Sequence, residues 1–401
     1  MIRVNDARAN VLQNIEALGS IEIPAIEALS QHLAENIISD RPLPPFDRVA
    51  MDGFAVRSED FDQPETRLKI IGEARAGVSP DFEVRSGEAA KIMTGAPLIR
   101  GADAVVKVEK STIEGDIVRL TEEKMRPGLN IAPEGEDAKA GDVLLPEGTL
   151  LTAAGLAVCV SVGRVKVKVT PKPSIRIITT GTEIISPDKK PLPHQIRDCN
   201  SHSVLASCLN LHADAEFMGI ADDNRESLAL AIQKGLDADI LILTGGVSMG
   251  EYDFIPEILA KLGVNKIFHK VRLKPGKPVW YGRTDQGTHV FGLPGNPVSV
   301  QVNFKLFVEP LIQKLSGDPN PEPQTLFLPL AESIQKKNDR EEYFPVRILR
   351  TSDNTTLERV LIRGSGDFSN LAKSDGLIRC HIDTKIMNSG ETVEFIPWKR
   401  I

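Results

Sequence analysis

Residues 239–262 read DILILTGGVSMGEYDFIPEILAKL, and this stretch decides the fold of the central part of the chain. The apolar run 239–244 is typical of a buried strand, and residues 254–262 have the spacing of a short helix. A glycine-rich turn joins the two. In open α/β sheets, ligands bind beyond the carboxyl ends of the strands, so this turn is predicted to lie at a binding edge.

The alternation of strand and helix continues on both sides of this stretch. It predicts a layer of mostly parallel strands covered by helices. Asn200 is expected to cap one helix, and Asp223 and Glu226 have capping-box spacing at the start of the next. The predicted strands are 175–180, 215–220, 239–244 and 290–293, and the predicted helices are 200–210, 224–235, 254–262 and 298–316.

The regions outside this layer have different patterns. Helical periodicity predicts helices over 5–18 and 24–38, and the apolar segment 151–163 predicts a buried helix. Short β-rich runs between Arg67 and Thr121 predict a small all-β domain, and the tail predicts another small β domain. The predicted domain boundaries are 1–45 together with 140–172, then 46–139, 173–317 and 323–401.

The composition excludes several broad classes of protein. With 401 residues, the chain is too long for a single hydrophobic core, and its formal net charge of −7 argues against a nucleic-acid-coating protein. Neither a signal sequence nor a membrane-spanning segment is evident. The four cysteines show no CxxC spacing, so the sequence predicts a cytoplasmic protein without a zinc ribbon or redox pair.

Three predicted strand ends are rich in glycine. Each such turn alone is common, because any tight turn can require glycine. Three equivalent turns in one domain favour a ligand site, where backbone N–H groups and helix N-termini approach an anion. The three turns are TTGTEI (179–184), LTGGVSMGEYD (243–253) and GLPGNPVS (292–299).

Acidic residues follow the same strand ends. Glu183, Asp222 and Asp253 are expected to converge there, although a carboxylate at a helix start is often only a cap. Hard oxygen ligands of this kind suit Mg²⁺, which commonly joins carboxylates to phosphate oxygens. A magnesium ion between acid and phosphate would remove their mutual repulsion.

The segment HKVRLKPGKPVWYG (269–282) supplies positive charge. On an extended chain, Lys270, Arg272 and Lys274 share one face, and Lys277 follows through a Pro-Gly turn. A solvated, charged edge strand is the alternative interpretation. We expect the cluster to bind a small oxyanion, with Ser299 as a further hydrogen-bond donor.

Other chemical motifs are weak or missing. Cys199 and His202 have the spacing of a metal-ligand pair, but no further ligands accompany them, and a structural histidine is the more common case. The sequence contains neither a GxSxG nucleophile elbow nor a GxxxxGK[ST] phosphate-binding loop. No strong nucleophile is therefore predicted.

These motifs together resemble the MoeA family of molybdopterin molybdenumtransferases, which includes relatives of the gephyrin E domain. The resemblance extends through much of the chain and weakens over the final 75 or so residues. The matching stretches are PPFDRVAMDGFAV, KIMTGAPL, PEGEDAKAG, TTGTEI, LTGGVSMGEYDF, KPGKP and GLPGNPVS.

The resemblance implies a multidomain α/β plus β fold. Its parts are a central three-layer α/β domain with the molybdopterin-binding fold, an elongated mixed α/β N-terminal domain, a small all-β insertion domain and a C-terminal β-barrel-like domain. The implied reaction inserts molybdenum from molybdate into adenylylated molybdopterin and releases AMP, assisted by Mg²⁺. A homodimer is implied, with transient contacts to the adenylyltransferase partner and to molybdoenzymes.

The resemblance also implies roles for individual residues. The pterin–pyrophosphate group would be held by Gly245, Gly246, Ser248 and Gly250. Magnesium would be held by Glu183, Asp222 and Asp253. The oxyanion would be bound by Lys270, Lys274, Lys277, Pro278, Pro294, Pro297 and Ser299, with Arg347 and Ser369 from the C-terminal domain. Asp52, Thr94 and Asp137 would reach the cleft from the other subunit.

Two other functions remain as alternatives. One is the molybdopterin adenylyltransferase activity of related single-domain proteins, which lack a counterpart of residues 1–170. The other is a non-catalytic pterin-binding scaffold, against which the acidic and KPGKP motifs argue. The motifs do not distinguish molybdate from tungstate, because the two oxyanions have nearly the same size and charge.

Overall fold

The computed structural model describes residues 1–222, 224–246, 254–352 and 354–399. In these ranges the α-helices are Val4–Leu12, Ala153–Ser161, Asn200–Asn210, Arg225–Gly235, Ile255–Lys261, Pro297–Asn303, Glu309–Leu315 and Phe368–Leu371. Short 3-10 helices cover Ala25–Ala28, Ser58–Asp60 and Val108–Lys110. None of the helices in the described part of the chain has the length and apolar character needed to cross a bilayer.

A six-stranded sheet in the middle of the chain positions the candidate site. Its strand order is Asp214–Ala221, Ser174–Thr180, Ile240–Thr244, His289–Leu293, Trp280–Thr284 and Val264–His269. Neighbours among the first four strands are parallel, and both pairings of Trp280–Thr284 are antiparallel. The predicted layer of mostly parallel strands is confirmed.

The central strand Ile240–Thr244 is buried along its whole length. Ile242 packs in the same core as Val204, whereas Leu243 packs in a second core with Ile232. Successive side chains of a strand point to opposite faces, so these two cores lie on the two sides of the sheet. An uninterrupted apolar run is therefore required, as expected for a parallel strand covered by helices on both faces.

The helix predicted at 298–316 is confirmed. It consists of Pro297–Asn303, a π-helical turn over Phe304–Val308, and Glu309–Leu315. Its buried face packs in the core with the strand Ile240–Thr244. Asn303 lies just before the π-helical turn and is fully buried, which places a polar side chain beside the basic loop described below.

The expected helix over 24–38 is wrong. Ile21–Pro24 is a strand that pairs antiparallel with Lys166–Val169, and Ile37–Ile38 pairs with Val143–Leu145. Between these strands, the backbone N–H of Ser30 donates to the carbonyl of Leu151 at 2.8 Å. Pairing with residues far along the chain has replaced the local helical hydrogen bonds that the periodicity predicted.

Two other helices differ in extent or burial from the predictions. The first helix ends at Leu12 instead of continuing to residue 18, and Asn14 follows with φ +57°. The helix Ala153–Ser161 is present, but it leaves Val160 53% exposed, so only one of its faces is buried. The first helix packs in the core of the central sheet and the second in a smaller core with Val167 and Val169, and each leaves a solvent-facing stripe.

Two predicted helix caps are also different. Asn200 lies inside its helix and donates to the carbonyl of Gly295, while Asp198 accepts the backbone N–H of Ser201 at 3.1 Å. At the next helix, Asn224 is the cap and accepts the N–H of Ser227 at 2.8 Å. Asp223 lies outside the described residues.

The β-rich region between residues 46 and 139 forms a second six-stranded sheet. Its two faces bury separate apolar clusters, one around Ala55 and Val105 and the other around Phe54 and Val118. The predicted small all-β domain is confirmed in its fold. The strand order is Ala104–Lys107, Gly53–Val56, Glu88–Ile92, Glu65–Ala74, Ile117–Thr121 and Ser111–Glu114.

The C-terminal region forms a third sheet, which includes one strand from the central region. The strand order is Leu273–Lys274, Glu341–Arg350, Gly376–Cys380, Thr392–Pro397 and Leu326–Pro329, with Thr355–Arg359 also paired to Glu341–Arg350. Shorter pairs elsewhere are Arg48–Val49 with Ile131–Ala132, Ile184–Ile185 with Ile196–Arg197, and Ile334–Gln335 with Ile386–Met387.

Candidate functional site

The three glycine turns leave neighbouring parallel strands at the same edge of the central sheet. Ser174–Thr180 pairs with Ile240–Thr244, which pairs with His289–Leu293. The N–H of Gly245 donates to the carbonyl of Leu293 at 3.1 Å, so the second and third turns are in direct contact. The sheet therefore brings the three turns together, as the sequence predicted.

The Gly245–Gly246 turn has no room for side chains. Both residues have positive φ angles, +85° and +61°. A Cβ atom on Gly245 would lie 2.5 Å from the carbonyl oxygen of Thr180, and one on Gly246 would lie 2.7 Å from the Thr180 hydroxyl. Glycine is required at both positions, because of the positive φ angles and because the backbone packs closely against the adjacent strand end.

Three acids, one serine and a further glycine were also predicted to follow these strand ends as ligands. Asp222 and Glu183 extend from neighbouring strands, since Thr180 and Ala221 are register partners. Both acids are exposed. Ser248, Gly250 and Asp253 lie outside the described residues. No group of three or more metal-ligating side chains occurs among the residues that the structure describes.

The basic segment forms a closed loop. The N–H of Lys270 donates to the carbonyl of Val279 at 2.9 Å, and that of Val271 donates to Lys277 at 3.0 Å. At the tip, the Asn303 side chain donates to the carbonyls of Gly276 and Ser299 at 3.1 and 2.8 Å. The helix that carries Ser299 is thereby fixed to the loop that carries both lysines of KPGKP.

A cavity of about 450 Å³ lies where this loop meets the C-terminal sheet. Five of the predicted residues line it from the central region: Lys274, Lys277, Pro278, Pro294 and Ser299. The C-terminal region contributes Arg340, Glu342, Phe344, Arg359, Arg363 and Ser365. The walls therefore carry five cationic side chains and one carboxylate, which favours an anionic ligand.

Lys274 is fixed in this cavity by two contacts. Its strand pairs in parallel with Glu341 and Glu342 of the C-terminal sheet. Its ammonium group lies 2.9 Å from a carboxylate oxygen of Glu342, whose side chain is only 9% exposed. Because the partner is buried, the pair is more strongly held than an exposed ion pair, and it restricts the lysine to one side of the cavity.

Other predicted residues lie outside the cavity lining. Lys270 precedes the loop and Pro297 starts the following helix, and neither lines the cavity. Arg347 forms an ion pair with Glu358 on the opposite face of its strand from Phe344. The Ser369 hydroxyl donates to Asp367. The sheet alternation thus directs Arg347 away from the loop that carries Lys274.

Asp52 and Thr94, predicted to act together, are in contact. The backbone N–H and the hydroxyl of Thr94 donate to one carboxylate oxygen of Asp52 at 2.7 and 2.9 Å. These bonds, the backbone one first, lower the pKa of the exposed Asp52 carboxyl from its ordinary value. Asp137 is also exposed, and none of these three residues lines the cavity within this chain.

The cavity residues of the C-terminal region were missed by the sequence analysis. Arg340, Arg359 and Ser365 come from separate strands and turns, so no local motif connects them. The only local signal was the glycine pair around Ser365 in the stretch GSG (364–366). Their common position depends on strand pairing, which spacing along the chain does not reveal.

Another cavity, of about 500 Å³, contains none of the predicted residues. Its wall includes the buried Lys305–Glu309 ion pair, with the two charged groups 2.7 Å apart. His202 and Cys199, the weak metal-ligand pair, lie elsewhere, and their polar atoms contact Ser201 and Asn200. Neither place combines a glycine turn with converging cations.

Comparison with known proteins identifies the whole chain as related to one group. The family profiles that match are the MoeA N-terminal region (domain I and II) over residues 2–163, the probable molybdopterin binding domain over 176–314, and the MoeA C-terminal region (domain IV) over 328–398. Together these profiles cover nearly the full sequence, in the order that the motifs predicted.

Individual relatives match over comparable lengths. The molybdopterin molybdenumtransferase of Haemophilus influenzae is 34% identical, covering 100% of both chains, and that of Bacillus subtilis is 33% identical, covering 94% of this chain and 90% of the relative. The crystal structure of a molybdopterin biosynthesis MoeA protein from Pyrococcus horikoshii aligns with a TM-score of 0.84 at 29% identity, covering 99% of this chain and 100% of that one. The chain belongs to the MoeA family of molybdopterin molybdenumtransferases.

Proposed function

We propose that this protein inserts molybdenum from molybdate into molybdopterin, which it receives in adenylylated form, and that AMP is released. The observation that carries this proposal is the cavity lined by Lys274, Lys277 and Ser299, whose wall includes Pro294 and Asn296 of the third glycine turn. An oxyanion site and a phosphate-binding edge in one domain match the two substrates of such a reaction.

Molybdate suits the cationic cavity. It is a tetrahedral dianion, which is held best by paired cations and by hydrogen-bond donors. Lys274 and Lys277 supply the cations from two positions of one stiff loop, and Ser299 lines the same wall. In the proposal these three residues bind the oxyanion, and Glu342 orients the ammonium group of Lys274.

The adenylylated pterin would lie along the sheet edge. Gly246 is exposed and carries no side chain, so the backbone of the turn is open to a phosphate group, as at other strand-to-helix turns. Glu183 and Asp222 are exposed carboxylates in the segments that follow two adjacent strands, and such oxygen donors suit Mg²⁺ bound by few protein ligands. When bound there, Mg²⁺ would neutralise charge on the phosphate groups. Asp253 is proposed as a third ligand from its motif alone.

Catalysis in this proposal depends on placement and electrostatics. The lysines hold the oxyanion, the glycine turn orients the phosphate, and the carboxylates keep the anionic groups from repelling each other. Asp52, Thr94 and Asp137 would complete the cleft from the second subunit of a homodimer. The hydrogen bonds from Thr94 keep Asp52 ionised and oriented for that role.

The test is AMP release from adenylylated molybdopterin, measured with and without molybdate. We expect release that depends on molybdate, and an at least tenfold loss in Lys274→Ala, because one cation of the site is removed. Lys266→Ala, a substitution of an exposed lysine on the strand Val264–His269, should retain wild-type activity. Consumption of ATP with molybdopterin alone would instead identify an adenylyltransferase.

The same assay addresses the choice of oxyanion. Molybdate and tungstate are compared as substrates and as competitors over one concentration range. Equal half-saturating concentrations of molybdate and tungstate would show that the cavity recognises an anion only by its charge and shape. A preference for one anion would define the physiological metal.

A further inference from the structure

We propose that a cavity at the opposite edge of the central sheet binds a free amino acid with an aliphatic side chain. The cavity has a volume of about 810 Å³ and lies where the parallel strands begin, away from the glycine turns. His289 and Arg283 bind the carboxylate of this ligand, and Glu16 and Asp237 bind its ammonium group. The inference goes beyond the proposed function, because none of these residues belongs to the molybdate or pterin site.

The two donor residues of this cavity face each other on neighbouring strands. Arg283 is the register partner of His289 in an antiparallel strand pair. Partners of this kind lie on the same face of a sheet. The next residues on that face, Tyr281 and Phe291, are buried in the core. The apolar face of the sheet therefore ends in a polar row at the edge where the cavity opens.

His289 presents one ring nitrogen to the cavity. The residue is only 3% exposed, and its Nδ1 atom lies 2.8 Å from the Tyr281 hydroxyl. Burial raises the pKa of Tyr281 and lowers that of His289 to about 4, so at neutral pH the hydroxyl donates to Nδ1 of an uncharged ring. The ring hydrogen is then on Nε2. In the described part of the chain Nε2 has no hydrogen-bond partner, yet it is not enclosed in the core, so it is a donor open to the cavity.

Arg283 supplies the second donor group. It is partly buried, and it forms neither an ion pair nor a hydrogen bond within the residues that the structure describes. Donors removed from water cost free energy unless an acceptor replaces the water. A carboxylate offers two acceptor oxygens, which match the planar fork of the guanidinium group together with the N–H of His289.

The acidic residues of the cavity determine the charge of the ligand. Asp239 accepts the backbone N–H and the hydroxyl of Ser174 at 2.7 and 2.6 Å, so this carboxylate maintains the sheet. Glu16 and Asp237 are exposed and form no ion pair in the described ranges of the chain. Because three carboxylates outnumber one guanidinium group, the cavity disfavours a dianion such as a phosphate. A zwitterion satisfies both the donors and the two unpaired acids.

Aliphatic side chains complete the walls of the cavity. They come from the segment after the first helix, from the ends of three later helices and from the turn before the strand Ile240–Thr244. These apolar residues are Ile15, Leu18, Leu236, Ala238, Leu262 and Leu315. An aliphatic side chain on the ligand would be removed from water against them.

Isothermal titration calorimetry with the full-length protein tests the class of ligand. We expect L-leucine to bind with a Kd of about 1 mM or lower. Isocaproate lacks the ammonium group of leucine and isopentylamine lacks its carboxylate, so each should bind at least about tenfold more weakly. Inorganic phosphate should also bind more weakly than L-leucine. Equal or tighter binding of any of these three compounds would overturn the inference, and so would the absence of saturable L-leucine binding up to about 10 mM.

Two arginine variants locate the binding site. Arg283→Gln should weaken L-leucine binding at least about tenfold. The matched control is Arg176→Gln, because Arg176 is a partly buried arginine of the same sheet, paired with Glu216. The register partner of Arg176 is Leu241, which packs in the second core, so Arg176 lies on the other face. Its substitution should leave the Kd unchanged, and equal weakening in both variants would overturn the assigned site.

These measurements are independent of turnover. The comparison of ligands uses the wild-type protein, so it stands even if Arg283→Gln does not fold. A protein that binds L-leucine but releases no AMP would contradict the proposed function and leave this inference intact. A protein that releases AMP in a molybdate-dependent reaction but binds no L-leucine would contradict only the inference.

Discussion

Gly276 shows how strongly one residue constrains the oxyanion loop. Its φ angle is +104°, and a Cβ atom would lie 2.2 Å from the side-chain nitrogen of Asn303. Gly276→Ala therefore adds backbone strain and a clash with a fully buried amide, and we expect a loss of about 2–4 kcal/mol in the free energy of unfolding. Urea denaturation followed by circular dichroism measures it.

Gly263→Ala is the control for backbone strain alone. Gly263 has a φ angle of +79°, but nothing lies within 4 Å of the position of its Cβ. We expect a cost of about 1 kcal/mol there, which is the strain of a left-handed residue. If the two variants lost equal stability, the contact with Asn303 would contribute nothing.

Secondary-structure elements were predictable where one local rule dominated. The strand Ile240–Thr244 combines an unbroken apolar run with a glycine turn, and all five residues are buried. The segment 24–38 had an equally clear helical spacing, yet its backbone bonds go to residues such as Leu151. Pairing between distant parts of the chain decided that region, and periodicity carries no information about such partners.

The strand His289–Leu293 contains a buried histidine with a consequence for stability. Burial is the main cause that lowers the pKa of His289 from 6.5 to about 4, and Arg283 adds to it. Between these values the unfolded chain takes up the proton first, so stability is complete above pH 6.5 and falls as the pH decreases toward 4. The expected loss by pH 4 is about 1–3 kcal/mol.

His289→Gln tests this pH dependence. The variant retains a polar group near the Tyr281 hydroxyl, which lies 2.8 Å from the Nδ1 atom of His289. Urea midpoints measured between pH 7 and pH 4 should decrease less steeply in the variant than in the wild type. His194→Gln, at an exposed position, is the control with the same loss of one imidazole. A wild-type slope in His289→Gln would assign the effect to other groups.

At the scale of the whole molecule, the site is shared between two sheets. The sequence predicted Lys274, Lys277 and Ser299, because these lie in short motifs after strands. It did not predict Arg359 or Glu342, because their position depends on the strand Leu273–Lys274 joining the C-terminal sheet. The sequence motifs therefore identify the residues of one wall of the cavity. The residues of the other wall are identified only by the strand pairing in the folded chain.

This shared construction couples oxyanion binding to the docking of the C-terminal sheet. The N–H of Glu341 donates to the carbonyl of Arg272 at 3.1 Å, across the junction of the two regions. A ligand that requires both walls stabilises the docked state, by about 2.7 kcal/mol at a concentration of about 100 times its Kd. We therefore expect molybdate to slow hydrogen exchange at the Glu341 amide by up to about 100-fold.

The control is a strand far from the cavity. Amides of the strand Ile117–Thr121, in the inserted domain, should exchange at an unchanged rate. Equal slowing in both places would indicate a general effect of the salt, and no slowing at Glu341 would mean that the C-terminal wall does not contribute to binding.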